Sequence, residues 1–280
     1  MHETENTVFI IVTYQPILSR LNLLLKAVSP VPIVIVDNTD SHPAQLVSIT
    51  NNNQISLPHN VTVISDAINH GYAAAINIAL KLAFTGKVRW VVILNDDMQL
   101  TNSAVKVFIN TLYKAEPSVA GPFAGLLDKK RWTTIYNKPE RGLQPQQHPD
   151  YMSGEFFAIH HDVYRAIGNF YEPYFLYYEE VDYCRRAFRA GFKLNHIPVA
   201  GIMHDQFSRE RRLNQFIRHY YLARNHLLFV ERNAPISIKL HELVRITKTL
   251  IDHRRHKDLM AFSGVKDYIF RNFGKYKGVI

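Results

Sequence analysis

Two carboxylates preceded by an amide, Asn95-Asp96-Asp97, stand at the end of the apolar run Trp90-Val91-Val92-Ile93-Leu94. Oxygen ligands packed this closely suit a hard divalent cation, and a cation held there suits a diphosphate. A second acidic cluster, Glu179-Glu180-Val181-Asp182, precedes Arg185 and Arg186. A carboxylate within hydrogen-bond reach of a hydroxyl can take its proton. His204 closes a short apolar stretch, where a single histidine is often a structural donor. Plainer alternatives stand beside these: a polar turn after a strand for Asp96 and Asp97, and acidic residues favouring the positive end of a helix for Glu180 and Asp182.

The elements that must position these groups follow from hydrophobic pattern. Residues 8–13, 31–36, 61–64 and 90–94 are short continuous apolar runs, as strands buried on both faces are. Helical spacing is expected over 16–28, 43–50, an Ala-rich stretch 72–84 and 101–115, with a loop at 51–53. Strands alternating with helices imply an α/β fold with a parallel, doubly wound sheet, whose C-terminal strand ends share one edge. All four runs end in polar residues, at Thr13, at Asp37, in the 65–69 loop and at Asn95 to Asp97. Such a series describes a site.

Beyond residue 115 the pattern predicts short strands near 119–122, 131–136, 193–198 and 201–204, and helices over 162–167 and from Glu179 to 190. The stretch 125–149 reads as a loop. The aromatic run 170–178 suits a sugar-stacking platform or the core equally. After Arg209 a helix should end at Asn233-Ala234-Pro235, and 236–273 reads as one amphipathic cationic segment with Leu240, Leu243, Ile246, Leu250 and Ile251 at helical spacing.

Charge separates two regions. The net charge over 280 residues is +9, yet residues 209–280 hold 16 Lys/Arg against 6 Asp/Glu, while residues 1–208 hold 17 against 18. The single cysteine, Cys184, precludes an internal disulfide framework and is compatible with a reducing cytoplasm. The acidic start, Met1-His2-Glu3-Thr4-Glu5, is unlike a signal peptide, and charges interrupt every run that would cross a membrane. Neither Gly-x-x-x-x-Gly-Lys-Ser/Thr nor Gly-x-Gly-x-x-Gly is present, which disfavours a P-loop ATPase and a dinucleotide dehydrogenase.

In order, Thr13-Tyr14, Val36-Asp37-Asn38, Asn69-x-Gly71 with Asn77, Leu94-Asn95-Asp96-Asp97, Ser153-Gly154, Tyr178-Glu179-Glu180-Val181-Asp182 and His204 with Ser208 resemble the motifs of inverting family 2 glycosyltransferases. The resemblance runs from about Val8 to Asn225 and is greatest to bacterial rhamnosyl- and galactofuranosyltransferase-like members. It implies a GT-A fold, Rossmann-like, with a mostly parallel central sheet flanked by helices. That domain would span 1–208, with a basic helical extension over 209–280.

The resemblance also assigns roles. Thr13, Tyr14, Asp37 and Asn38 would hold the nucleotide, with Asp37 accepting the imide N–H of uracil or thymine. Asn69, Gly71 and Asn77 would lie beside it, and Asn95 and Asp96 would contact the ribose or a metal-bound water. Asp97 and His204 would bind Mn2+ or Mg2+, the nitrogen ligand favouring Mn2+. Glu180 takes the base position, usually Asp, with Asp182 in reserve. The donor would be a UDP- or dTDP-sugar and the acceptor a saccharide, free or lipid-linked.

Two departures, Asn95 and Glu180, keep a non-catalytic glycan- or membrane-binding relative in play. A sugar nucleotidyltransferase would place a Gly-rich basic loop where Thr13-Tyr14-Gln15-Pro16 stands. The basic tail has three readings: an anionic membrane surface, another subunit of a homo-oligomer, or a solvated helix pair covering the sheet. The first is favoured because such family members glycosylate lipid-linked saccharides, placing the protein in the cytoplasm, peripheral on the inner face of the membrane. Nucleic acid is not expected, since no recognition motif accompanies the charge.

Overall fold

A computed structural model describes residues 6–40, 60–135, 148–204 and 215–278. The expected helix at 43–50, the loop at 51–53 and Ser208 lie outside the described residues. In chain order the elements are β1 (Thr7–Thr13), α1 (Leu18–Val28), β2 (Ile33–Asp37), β3 (Val61–Ser65), α2 (Tyr72–Ala83), β4 (Trp90–Asn95), β5 (Met98–Leu100) and α3 (Asn102–Lys114). Then follow β6 (Ser118–Gly121), β7 (Ala124–Leu127), β8 (Thr134–Ile135), β9 (Tyr151–Met152), β10 (Phe156–His160), α4 (His161–Ile167), α5 (Glu179–Arg189), β11 (Lys193–His196) and β12 (Ile202–His204). The C-terminal helices are α6 (Gln215–Asn233), α7 (Ile236–Arg255) and α8 (Leu259–Ile269).

Seven strands form the main sheet in the order β11-β6-β10-β4-β1-β2-β3. The first four strands in sequence are parallel, as their continuous apolar runs predict. Both faces are covered, which is why the runs do not alternate with polar residues. Val8, Ile10 and Val12 of β1 enter the core on the α2 side, and Phe9 and Ile11 enter the core on the side of α1 and α3. β10 is inserted antiparallel between β4 and β6, making the sheet mixed.

α6 adds Leu228, Phe229 and Val230 to the same core cluster as Val8 and Ile10. The expected single segment 236–273 is two helices. Asp258 caps α8 by accepting from the Ala261 N–H at 3.0 Å, which ends one run and starts the next. Among the described residues no helix is long and apolar enough to cross a membrane.

Candidate active site

Strand register sets the first row of groups. Thr13 is paired with Asp37, and Val12 with Asn95, so three strand ends meet at one level of the edge. Asp37 is 2% exposed. Its Oδ1 accepts from Thr13 Oγ1 at 3.0 Å, Thr39 Oγ1 at 2.7 Å and Thr39 N–H at 3.2 Å. Its Oδ2 is buried with no hydrogen-bond partner among the described residues. A buried acceptor held in orientation and left unmatched suits an incoming N–H. Beside it, Asn38 donates through Nδ2 to the Gly71 carbonyl at 3.1 Å.

The turn before α2 is closed by Asn69, whose Oδ1 accepts the Gly71 N–H at 3.0 Å. Gly71 has φ +82°, and a Cβ there would stand 2.5 Å from the Phe175 ring, so this position requires glycine on both counts. Tyr14 donates to Asp40 at 3.3 Å, and burial, then the Asp40 charge, pushes its phenol pKa up. Lys275 reaches Asp40 at 2.7 Å and is the main reason that carboxyl sits below its usual range.

Asn77 does not face this edge. Its Nδ2 donates to the Phe170 carbonyl at 3.0 Å and Glu172 at 2.9 Å, and its Oδ1 accepts the Phe170 N–H at 2.8 Å. The structure therefore places it as a tie between α2 and the aromatic segment, because three bonds to that segment consume its amide.

Past Asn95 the chain turns through the half-buried Asp96 and the buried Asp97 into β5. β5 pairs antiparallel with β12, with Met98 opposite His204. That register brings His204 Nε2 to 3.2 Å from Asp97 Oδ1. On the other side of the ring, His204 Nδ1 is 3.5 Å from Glu155 Oε1. Glu155 is itself buried, hydrogen-bonded by the Ser153 hydroxyl, and its carbonyl accepts the Asn95 N–H at 3.0 Å. Sequence reasoning missed Glu155; its only signal was a carboxylate directly before the apolar run of β10. Asp97 and His204 are the pair that would hold a divalent cation, with Glu155 on the far side of the imidazole, whose Nδ1 is buried without a hydrogen-bond partner among the described residues. Among the described residues no group of three or more His, Cys, Asp or Glu is disposed to hold a metal ion, so the pair would leave the other coordination positions to phosphate and water.

The amide at position 95 has a structural reason. Tyr72 Oη lies 2.9 Å from Asn95 Oδ1 and 2.8 Å from the Gly154 carbonyl. A phenol has one proton for two acceptors. With the amide turned the other way, Asn95 donates to Tyr72 and Tyr72 donates to Gly154, which satisfies all three groups. An ionised aspartate has no proton to give.

Gly154 also links this edge to the second acidic cluster. Its open face packs on Glu180, whose Cδ, Cγ and Cβ lie 3.5 to 3.6 Å from where a Cβ on Gly154 would stand. Glu180 is half-buried in the first turn of α5, while Glu179 is buried. Asp182 is 0% exposed and stands apart from them. Its carboxylate accepts from Arg186 Nε at 2.9 Å, Arg232 Nε at 3.0 Å, Asn233 Nδ2 at 2.7 Å and Tyr174 Oη at 3.3 Å. Burial pushes its pKa up, but the Arg232 hydrogen bond and the two guanidinium charges outweigh this and hold it below the usual carboxylate range. Arg186 goes on to donate to the Ile167 and Asn169 carbonyls at 2.7 and 2.8 Å. The expectation of Asp182 as a reserve base is corrected on this geometry: it is a buried ionic tie between α5 and α6 with no surface to offer an acceptor.

The segment leading into α5 is strained. Phe175, Tyr177 and Tyr178 have φ of 63°, 69° and 75°, in the region bulky residues avoid at a cost of about 1–3 kcal/mol each. Two fully buried side chains of α6 hold it. Asn225 Nδ2 lies 2.9, 2.7 and 2.9 Å from the carbonyls of Tyr174, Leu176 and Tyr177. Arg224 donates to Tyr174 O at 2.8 Å, Pro173 O at 3.2 Å and Gly274 O at 2.7 Å. From its other side the loop accepts the Tyr72 N–H on the Phe175 carbonyl at 2.7 Å. The aromatic run is mostly core, with Phe170, Tyr174, Phe175 and Tyr178 buried. Sequence reasoning missed the Arg224-Asn225 pair; its one signal was two polar residues inside the periodic apolar face of α6. Cys184 is buried and accepts the Met152 N–H at 3.3 Å, and burial pushes its thiol pKa far up, which fits a packing role.

The chain is similar in sequence and in fold to known proteins. The chain is 22% identical over 258 residues, 85% of both chains, to the dTDP-rhamnosyl transferase RfbF of Shigella flexneri. It is 27% identical over 239 residues, 69% of this chain and 74% of the other, to an N-acetylglucosaminyl-diphospho-decaprenol L-rhamnosyltransferase of Mycobacterium tuberculosis. Its fold is similar to that of GalNAc-T7 solved with UDP, GalNAc and Mn2+ (TM-score 0.53, 15% identity, 68% of this chain and 42% of that one). It is also similar to TarS of S. aureus (TM-score 0.50, 15% identity, 84% and 41%). The chain thus spans less than half the length of either structure. The Glycosyl transferase family 2 model matches residues 9–182, which hold Thr13, Asp37, Asn95 and Asp97 and the first turn of α5 but not His204. With strand edge, turn chemistry and family match in agreement, the chain belongs to glycosyl transferase family 2 and is a glycosyltransferase of GT-A fold.

Proposed function

We propose that this glycosyltransferase moves a hexosyl unit, with inversion, from a UDP- or dTDP-sugar to a saccharide acceptor carried on lipid, in the assembly of a bacterial surface polysaccharide. The activities named for the two rhamnosyltransferase relatives favour dTDP-rhamnose as donor. The reading rests above all on one observation: His204 Nε2 stands 3.2 Å from Asp97 Oδ1 on the edge that also carries the unmatched Asp37 Oδ2.

Asp37 accepts the imide N–H of the base, and the neighbouring Asn38 and Gly71 shape the wall beside it. Asp97 and His204 would hold Mn2+ or Mg2+, which would offset the negative charge of the leaving diphosphate. Glu180, the half-buried carboxylate against Gly154, takes the proton of the acceptor hydroxyl as its oxygen bonds to the anomeric carbon. The bond from that carbon to the diphosphate breaks on the opposite face, and the proton passes from Glu180 to water. Such a protein works in the cytoplasm, at the inner face of the membrane that bears the acceptor.

The test is to incubate the full chain with UDP- and dTDP-hexoses, dTDP-rhamnose among them, with Mn2+ or Mg2+, and to measure release of nucleoside diphosphate. Release from one donor, reduced roughly 100-fold or more in Asp97→Ala, is expected. If no donor is turned over and Asp97→Ala leaves nucleoside diphosphate binding unchanged, the reading fails and a non-catalytic relative takes its place.

A further inference from the structure

α7 carries a face that the transfer site does not use. Ile236, Leu240, Leu243, Val244 and Ile251 are 71%, 56%, 65%, 81% and 45% exposed. At about 100° per residue these five side chains fall within one arc of roughly a third of the helix circumference. A helix packed on a globular core turns such an arc inward. Here the inward position is taken by Glu242, which is buried and paired with Arg245 at 3.1 Å. The apolar arc therefore faces out.

Its borders are cationic. On the same helical wheel Lys239 flanks the arc on one side, Lys248 and Arg255 flank it on the other, and Thr247 and, in the last turn, Arg254 fall within it. The two acids of α7, Glu242 and Asp252, lie on the far face. The surrounding region 209–280 adds to the field, with 16 Lys/Arg against 6 Asp/Glu. An exposed apolar arc with basic borders is the pattern of a helix lying in the plane of a membrane surface.

We infer that α7 docks on an anionic bilayer, with Leu240, Leu243 and Val244 among the upper acyl chains and Lys239, Lys248 and Arg255 on the headgroup phosphates. Charge selects this occupant over a second copy of the chain. A symmetric helix pair would set these cationic borders against their own counterparts, whereas an anionic headgroup layer complements them. The inference does not rest on the transfer reading, because a chain without turnover would still bind lipid.

The test is flotation of the full chain with phosphatidylcholine vesicles, with and without phosphatidylglycerol. Recovery with the anionic vesicles is expected to exceed that with neutral ones by about tenfold and to fall as salt is raised. The Leu240→Glu/Val244→Glu variant should lose about tenfold of that recovery with unchanged circular dichroism and thermal unfolding, since both positions are exposed. Should its unfolding shift, Lys239→Glu/Lys248→Glu tests the same prediction from the charged border. The proposal is overturned if the wild type does not float, if it floats equally with neutral vesicles, or if the variants float as well as the wild type. It is also overturned if ultracentrifugation without lipid shows a dimer that the Leu240→Glu/Val244→Glu variant abolishes, since the arc then serves a second copy.

Discussion

At the sheet edge, Thr13, Asp37 and Asn95 are neighbours because β1, β2 and β4 run in parallel with a register that ends them at one level. At the start of α5, Glu180 follows a loop with three non-glycine residues at positive φ, and carbonyls of that loop are tied to Arg224 and Asn225 of a helix from the basic C-terminal region. One set of groups is placed by backbone ladders that any β-branched run can form. The other is placed by buried side chains that must be present one by one. Donor binding should therefore tolerate damage to the C-terminal helices, while turnover should not.

The largest expected effect is at Glu180. Glu180→Gln should lower transfer roughly 10²- to 10⁴-fold while nucleoside diphosphate affinity, read by calorimetry, stays within about twofold. A loss in turnover of less than tenfold would move the base elsewhere.

Asp182→Asn should act on stability instead. Removing one member of a buried ion pair leaves Arg186 and Arg232 short of their counter-charge and costs roughly 3 kcal/mol at pH 7, measured by denaturant unfolding. The folded-state pKa of Asp182 is lowered, so its contribution is present above the unfolded carboxylate value and is lost as pH falls through the folded one. The variant should lack that part of the acid-unfolding limb. An unchanged limb would mean that Asp182 carries none of it.

Asn225→Ala removes the amide shared by three loop carbonyls. A cost of about 2 kcal/mol is expected, with kcat reduced about tenfold and donor affinity held. Equal losses in kcat and donor affinity would erase the contrast between the two sides. Smallest of the four, Asp37→Asn should weaken uridine or thymidine diphosphate binding by about 1.5 kcal/mol and spare cytidine diphosphate, because cytosine N3 is an acceptor with no N–H to offer a carboxylate in this reading. A uniform loss across bases would point to a structural role for Asp37 in holding Thr13 and Thr39.

The two sides also differ in how far they could be read before folding. The strand ends were legible, because a buried parallel strand is a continuous apolar run and its polar terminus marks the sheet edge. Motif order singles out Asp97 and Glu180 as residues to test. Asn77 was misplaced, since an Asn one turn into a helix reads the same whether it faces a ligand or a loop. Asp182 was misread for a similar reason: the helix position of a carboxylate does not reveal that Arg232 and Asn233 will be folded onto it. Glu155, Arg224 and Asn225 gave almost no periodic signal, because buried polar residues break the very pattern used to find buried positions. The split of the last amphipathic stretch at Asp258 leaves no mark on the apolar spacing, which continues across the cap.

By itself the sequence determined the α/β alternation, the polar edge, the two acidic clusters and the basic, amphipathic end, since each depends on residues close together in the chain. Only the tertiary structure decided that His204 meets Asp97, that Asp182 is spent on an ionic tie, that Arg224 and Asn225 hold the loop before Glu180, and that the apolar arc of α7 faces outward. These depend on strand register and helix docking across long sequence separations, where the choice among partners is made by burial and hydrogen-bond matching.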